Sequence, residues 1–293
     1  MKTGYFSPIQ ISFLLLLASI ASAVGIFSGG GSGIYEYISI RGEQVDIYGA
    51  GIYRDMSAEV AIQGIAQDFI TLFVAIPLLL FSLFLSRKGS VKWRLVFAGV
   101  LAYFFVTYLF YLLMAMYNNL FLVYTSLLGL SFFSLLKVLF SFEPGFITFK
   151  PKSSTSLKFA GRFLMLNAAC IGILWLSIIL IPILNGRVYP EGLAHYTTLV
   201  VQGLDLGLLL PLSFISGHLL IKQKPLGNLA APVYLVFLSL LMLALVAKIV
   251  FSGIAGYNIV PVVFIIPVIT FVSIISSVML IKKVVEEPVN QPI

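Results

Sequence analysis

The sequence predicts an all-α protein, a polytopic bundle of about eight transmembrane helices. Hydrophobic side chains make up 60% of the 293 residues and charged ones only 10%, and the mean hydropathy is +1.08. Soluble domains are much less apolar than this. The apolar residues also form eight runs of about 20 residues, the length with which a helix crosses the hydrocarbon core of a bilayer. Together these observations predict a membrane protein.

The eight apolar runs give the predicted order of helices along the chain. They cover residues 8–28, 65–86, 95–116, 119–141, 160–184, 199–221, 229–252 and 259–281. The first run also has features of a signal peptide, because Lys2 precedes it and Ala21-Ser-Ala23 imitates a cleavage site. We expect it to be retained as a helix, because the internal repeat described below requires it.

The distribution of basic residues predicts the orientation. Thirteen Lys and Arg residues fall on one side of the predicted spans, against three on the other, Arg41, Arg54 and Arg187. The thirteen are Lys2, Arg87, Lys88, Lys92, Arg94, Lys150, Lys152, Lys158, Arg162, Lys222, Lys224, Lys282 and Lys283. Basic loops face the cytoplasm. We therefore expect an inner (plasma) membrane protein with both termini in the cytoplasm.

Short matches between the two halves predict a parallel repeat of four plus four helices. Tyr53-Arg-Asp55 matches Tyr189-Pro-Glu191 at an offset of 136, Asp68 matches Asp205 at 137, and Tyr117-Asn118 matches Tyr257-Asn258 at 140. Pro77 and Pro211, at 134, depart from this trend. Since each half has an even number of spans, both halves have the same orientation. The alternative is that similar helix ends reuse similar interfacial residues.

The repeat divides the chain into two halves and a linker. Residues 1–141 form the first half, 142–158 a basic cytoplasmic linker, and 159–293 the second half. The outer loop 29–64 breaks the symmetry, and it begins with the turn-prone Ser28-Gly-Gly-Gly-Ser-Gly33. Its alternating apolar and polar residues predict a short hairpin or an interfacial cap.

Three ionisable residues within the spans are the main candidates for function, because a charge in the membrane costs several kcal/mol unless it is paired or hydrated. They are Asp68, Asp205 and Lys248, and all three fall in the outer third of the predicted bilayer. The two acids could bind a cation, a proton or a polar solute, with Lys248 as their counter-charge. Alternatively, the acids cap the starts of their helices, and Lys248 extends to the headgroups.

Further polar residues could line a cavity beside these charges. Tyr103, Thr107, Tyr111 and Asn118 have spacings of 4, 4 and 7, which places them on one face of the third helix. We expect Tyr111, Asn118, Gln67 and Gln202 to line an outward-facing site. The alternative is that these groups form hydrogen bonds between packed helices.

The sequence gives no support for several classes of function. It contains no Gly-x-Ser-x-Gly, His-Glu-x-x-His or Walker motif, and its two histidines lack neighbours at metal-ligand spacing. One cysteine cannot form an intramolecular disulfide. The net charge of +7 reflects topology and does not indicate nucleic-acid binding. We therefore predict no catalytic residues, no metal and no cofactor.

Two segments resemble a group of prokaryotic proteins. Gln67-Asp68 precedes a span that ends in Arg87-Lys-Gly-Ser90, and Asn119-Leu-Phe-Leu-Val-Tyr124 follows; the second half contains Leu204-Asp-Leu-Gly-Leu-Leu-Leu-Pro211. This arrangement resembles multi-pass integral membrane proteins of prokaryotes with no established activity. The resemblance implies the topology and no particular reaction.

Three hypotheses for the function follow. The first is that the protein binds or transports a small solute or ion between spans 2, 3, 6 and 7. The second is a non-transporting membrane sensor, or a module that binds a partner through loop 29–64. The third is an intramembrane enzyme that modifies a lipid. In all three, the bilayer is the permanent partner of the chain.

Overall fold

The computed structural model describes residues 8–151, 153–187, 189–190 and 192–285. Within these residues the protein has eight helices that are long and apolar enough to cross a membrane, which confirms the predicted number. We number them α1 to α8. They are Pro8–Phe27, Ala58–Arg87, Val91–Met114, Phe121–Phe140, Ser154–Leu184, Val200–Ile221, Pro225–Ile254 and Val262–Lys283. Lys2, Lys152 and Glu191, which entered the sequence arguments, lie outside the described residues.

Four helices begin earlier than their apolar runs predict. α2 begins at Ala58 and α5 at Ser154, instead of at residues 65 and 160, and α3 and α7 each begin four residues early. The additional turns of α2 contain Glu59 and Gln63, polar residues of good helix propensity. A search for apolar runs does not include such residues in a helix. At about 1.5 Å per residue α2 is roughly 45 Å long, which exceeds the roughly 30 Å of a hydrocarbon core. One end of α2 therefore projects beyond that core.

Each half of the bundle is a closed ring of four helices. In the first half α1 packs against α2 and α4, and α3 packs against the same two helices. The second half repeats this arrangement, since α5 and α7 each pack against α6 and α8. The rings meet where α7 contacts both α2 and α3. A Cβ at Gly99 of α3 would overlap the Val236 side chain of α7, so glycine permits this close approach.

Both α2 and α6 contain a π-helical turn directly before a proline. The π turns are Thr71–Ala75 and Asp205–Leu209, and Pro77 and Pro211 each follow two residues later. Proline has no N–H for the helical hydrogen bond, and its ring clashes with the carbonyl four residues earlier, which favours a wider turn. These shared features align the two helices at an offset of 134. At this offset Asp205 corresponds to Thr71, instead of to Asp68 as the predicted offset of 137 required.

The predicted hairpin is present in the first loop. Strand β1, Tyr35–Ile38, pairs antiparallel with β2, Gln44–Ile47. We call the end of the bundle that carries this hairpin the outer end. Because α2 begins at Ala58, the segment between α1 and α2 covers residues 28–57 and is shorter than the predicted loop.

Hydrogen bonds join this outer segment to the loop between α5 and α6. Arg41 donates to the carbonyl oxygens of Ala194 at 2.9 Å and Tyr196 at 2.6 Å. The Tyr196 hydroxyl in turn lies 3.2 Å from both the backbone nitrogen and the Oγ of Ser57, the residue that precedes α2. The outer segments of the two halves are therefore fastened to each other above the helices.

The connection between the halves packs at the opposite end of the bundle. The backbone of Phe149 pairs with that of Val284, and the Lys150 amide donates to the Lys283 carbonyl at 2.9 Å. Since α5 begins at Ser154, the last residues of the predicted linker 142–158 are helical. This connection therefore also holds the end of α8.

Replacing Arg41 with alanine is expected to lower the melting temperature of the purified protein by several degrees. Each hydrogen bond from a charged donor contributes about 1.5–3 kcal/mol, and two are lost. Thermal unfolding in detergent, followed by tryptophan fluorescence, measures the effect.

Arg54→Ala is the matched control for this change. Arg54 lies in the same outer segment, but its 3.5 Å ion pair with Asp55 joins two exposed side chains and contributes little. Equal melting temperatures for the two variants would show that Arg41 does not fasten the halves.

Candidate functional site

Asp68 lies well inside α2, and not at its start. The helix begins at Ala58 with Ser57 as its N-cap, so Asp68 is ten residues, or roughly 15 Å, along the axis. Asp205 likewise follows Val200, the first residue of α6, by five positions. Neither carboxylate can therefore cap the free N–H groups of the first turn. The predicted alternative, that both acids are N-terminal caps, is wrong.

Two tyrosine hydroxyls hold the Asp68 carboxylate. Tyr53 donates to Oδ2 at 2.5 Å and Tyr111 donates to Oδ1 at 2.9 Å. Asp68 is only 1% exposed. Gly25 of α1 lies directly against it, because a Cβ at that position would overlap Oδ2. The acid is thus enclosed by α1, α2, α3 and the outer segment.

Tyr53 remains a hydrogen-bond donor throughout the physiological pH range. It lies outside the membrane-spanning helices, in the short 3-10 helix Gly51–Tyr53. Burial, reinforced by the negative charge of Asp68, raises the pKa of its phenol well above the ordinary value. The phenol therefore stays protonated and donates a hydrogen bond to the carboxylate.

Lys248 is a positive charge that interacts with Asp68. It lies on α7, which packs against α2, and its charge acts on the carboxylate. Among the described residues, however, no ion pair joins the two. The charges of Asp68 and Lys248 thus act on each other, but the direct partners of the acid are hydroxyl groups.

Asp205 occupies a different environment. Its Oδ2 accepts a hydrogen bond of 2.7 Å from the indole Nε1 of Trp175 on α5. In the part of the chain that the structure describes, no hydrogen bond or ion pair joins Asp205 to Asp68 or Lys248. The three ionisable residues therefore do not form a single cluster.

The polar face of α3 forms hydrogen bonds to α2. Gln67 donates to the hydroxyls of Tyr103 at 2.8 Å and Thr107 at 3.2 Å, and Thr71 lies 2.9 Å from the Tyr103 hydroxyl. All four side chains are buried. Gln67 thus has the interhelical packing role that was the alternative to lining a site, whereas Tyr111, on the same face, contacts the acid.

Two neighbouring cavities open near the outer end. The first, which we call the tyrosine cavity, has a volume of about 90 Å³. It is lined by Tyr111, Leu112, Ala115, Met116, Tyr117, Asn118, Phe121 and Tyr124. The second, the outer cleft, measures about 310 Å³ and includes Gln202, His195 and Tyr196. Both are bounded by Ala115, Met116 and Tyr117, so they adjoin.

Asn118 borders the tyrosine cavity, but its side chain also shapes the turn before α4. Its Oδ1 accepts from the Leu120 amide at 2.9 Å. Asn258 makes the same bond to the Val260 amide, at 3.0 Å, before α8. The recurring Tyr-Asn pair thus corresponds to the same local turn in both halves.

Several buried hydroxyls near the acid were not predicted as part of the site. Within the described residues, those of Ser22, Tyr108 and Tyr124 make no hydrogen bond of ordinary length and angle, although Ser22 interacts with Tyr108, and Tyr53 and Asn118 interact with Tyr124. The charge of Asp68 acts on both tyrosines. Ser22 lies on a face of α1 with small buried residues at spacings of three and four, Ala18, Ala21 and Gly25, which was the one visible sign of close packing.

The comparisons with known proteins add no relatives. No family model, curated protein or solved structure matches the chain. The resemblance to prokaryotic multi-pass proteins therefore stays a prediction.

A methyl group at Gly25 is expected to disrupt the site without changing its charge. Gly25→Ala places Cβ in the space of the Asp68 carboxylate, so α1 or the acid must move. We expect a melting temperature several degrees lower, together with loss of the Asp68-dependent flux described below.

Gly129→Ala is the matched control. Gly129 is also a helical glycine, on α4, and no atom lies within 4 Å of a Cβ there. Because alanine has the higher helix propensity, this variant should be as stable as the wild type or slightly more stable. Equal behaviour of the two variants would show that Gly25 does not confine the acid.

Proposed function

We propose that the protein is a plasma-membrane transporter that binds a small solute at its outer end and couples its movement to a proton carried by Asp68. The eight apolar helices fit an integral membrane protein. Both termini would lie in the cytoplasm, as the basic loops suggest.

One observation carries this proposal. Asp68 is buried within a helix apolar enough to span a membrane, and Tyr111 both donates to its carboxylate and forms a wall of the tyrosine cavity. Ionisable residues inside a membrane mark ion, proton or substrate pathways, because an unused buried charge has a high energetic cost. A proton can neutralise this carboxylate when the solute enters or leaves.

The arrangement of the helices is consistent with movement of one half of the bundle relative to the other, which a transporter requires. The two rings of four share one packing pattern, and we infer that they form a parallel repeat whose halves rock against each other where α7 meets α2 and α3. The π turn in α2 interrupts the regular helix hydrogen bonding three residues after Asp68, and α6 contains a similar turn. We therefore assign Asp68, Lys248 and Tyr111 to the transport site, and Gln202 and Asn118 to the route from the outside.

Asp68→Asn is expected to slow proton movement at least tenfold while leaving the fold intact. The amide has nearly the same shape as the acid, but it cannot take up and release the proton. The measurement uses proteoliposomes with entrapped pyranine, in which potassium and valinomycin impose a potential.

Asp55→Asn is the control, because this acid is exposed in the outer segment and should not affect the flux. Asp205→Asn should have a smaller effect than Asp68→Asn, since Asp205 is bound to Trp175 away from the cavity. If Asp68→Asn and Asp55→Asn liposomes acidify at the wild-type rate, the transport proposal is wrong.

The hairpin favours a second candidate function, a sensor or partner-binding module. Ile34, Ile38 and Ile40 are more than half exposed on the outer segment, where contact with another protein would cover them. If this is the function, replacing them with serine will abolish it, and Asp68→Asn will alter only stability.

A further inference from the structure

We propose that the ligand of the tyrosine cavity is a small organic ammonium ion. This inference rests on the proposed function, for which it names the class of solute. It is drawn from the rings that line the cavity, the charge beside it, and a buried hydroxyl with capacity to accept a further hydrogen bond.

Aromatic rings form much of the cavity wall. Tyr111 and Tyr124 are nearly perpendicular, with centroids 5.2 Å apart and an interplanar angle of 80°. Tyr117 and Phe121 form a second pair at 5.4 Å. All four line the same space. Because the faces of aromatic rings are negative, several rings around one cavity bind alkylammonium groups.

The electrostatic environment also favours a cation. Tyr111 donates a hydrogen bond to the Asp68 carboxylate, which increases the electron density of its ring, and the charge of Asp68 acts on Tyr124 as well. Among the described residues that line the cavity there is no Lys, Arg or His. Lys248 belongs to α7, whereas the cavity residues belong to the outer ends of α3 and α4 and the turn between them.

The Tyr124 hydroxyl can accept a further hydrogen bond at this site. Tyr124 is 2% exposed, and within the described part of the chain no hydrogen bond of ordinary length and angle reaches its hydroxyl, although the polar groups of Tyr53 and Asn118 lie close enough to interact with it. A buried hydroxyl without a partner carries a desolvation cost, which a donor from a ligand would remove. An ammonium group with N–H bonds supplies that donor.

The cavity volume suits a small ligand. About 90 Å³ far exceeds the space that a single water molecule needs, roughly 10–15 Å³ on the same measure. Methylammonium and tetramethylammonium are appropriate probes, since the first has N–H donors and the second has none.

Isothermal titration calorimetry of the purified protein in nanodiscs tests the inference. We expect saturable binding of tetramethylammonium chloride, and much weaker binding of tert-butanol, a neutral molecule of similar shape, and of sodium pivalate, an anionic one. Sodium chloride at equal ionic strength is the reference. Asp68→Asn should weaken tetramethylammonium binding at least tenfold.

Two tyrosines at equivalent turns provide a matched pair of variants. Tyr117 is 79% exposed, so Tyr117→Leu should fold normally and still weaken tetramethylammonium binding several-fold. Tyr257→Leu, the counterpart in the second half, lies outside the described cavity lining and should leave binding unchanged. Equal affinities for the two variants would overturn the role of the rings.

The Tyr124 hydroxyl has its own test. Tyr124→Phe keeps the ring but removes the acceptor, so it should weaken methylammonium binding about tenfold and leave tetramethylammonium binding unchanged. Equal losses for both probes would overturn the role of the hydroxyl.

The inference and the transport proposal can fail separately. If tert-butanol or pivalate binds as tightly as tetramethylammonium, or if none of the probes binds, the ammonium assignment is wrong. Asp68-dependent proton flux would then still support transport of another solute. Conversely, probe binding that depends on Tyr117, without Asp68-dependent flux, would support the binding site and contradict transport.

Discussion

The arrangement of the outer half depends on keeping one carboxylate, that of Asp68, away from water. An isolated charge at this depth costs several kcal/mol, and two tyrosine hydroxyls and the charge of Lys248 offset that cost. These groups come from the outer segment, α3 and α7, while α1 contributes a glycine that leaves room for the acid. The acid therefore interacts with four separate parts of the chain, and a change in its charge will alter its interactions with each of them.

Much of the fold could be predicted from the sequence because local physics determines it. Apolar length identified all eight helices, since every spanning segment must satisfy its own backbone hydrogen bonds. Alternation of apolar and polar residues identified the hairpin at Tyr35–Ile38 and Gln44–Ile47. The high cost of membrane charges drew attention to Asp68 and Lys248, whose charges act on each other in the structure.

The rest could not be predicted, because it depends on which helices are neighbours. Nothing local shows that Asp205 meets Trp175, or that Tyr53 of the outer segment donates to Asp68. The sequence Ala21-Ser-Ala23 imitates a cleavage site, yet Ala21 and Ser22 belong to the small buried face by which α1 approaches α2. Small residues are typical both of a signal-peptide cleavage site and of a close contact between helices. The pattern alone therefore does not distinguish a cleavage site from a helix contact.

The π turn in α2 sets the rotational position of Asp68. A π turn holds one residue more than an α turn. The helix segments before and after it therefore differ in rotation about the axis by about 100°, the angle between successive helical residues. If the extra residue migrated outward past Asp68, the acid would rotate into the place that Gln67 now occupies. Its partners there would be Tyr103 and Thr107, which lie further from the outer end than the tyrosines that hold it now. Migration of the π turn by one step would thus rotate this part of α2, and the acid would exchange the outer hydroxyls for the inner ones as its hydrogen-bond partners.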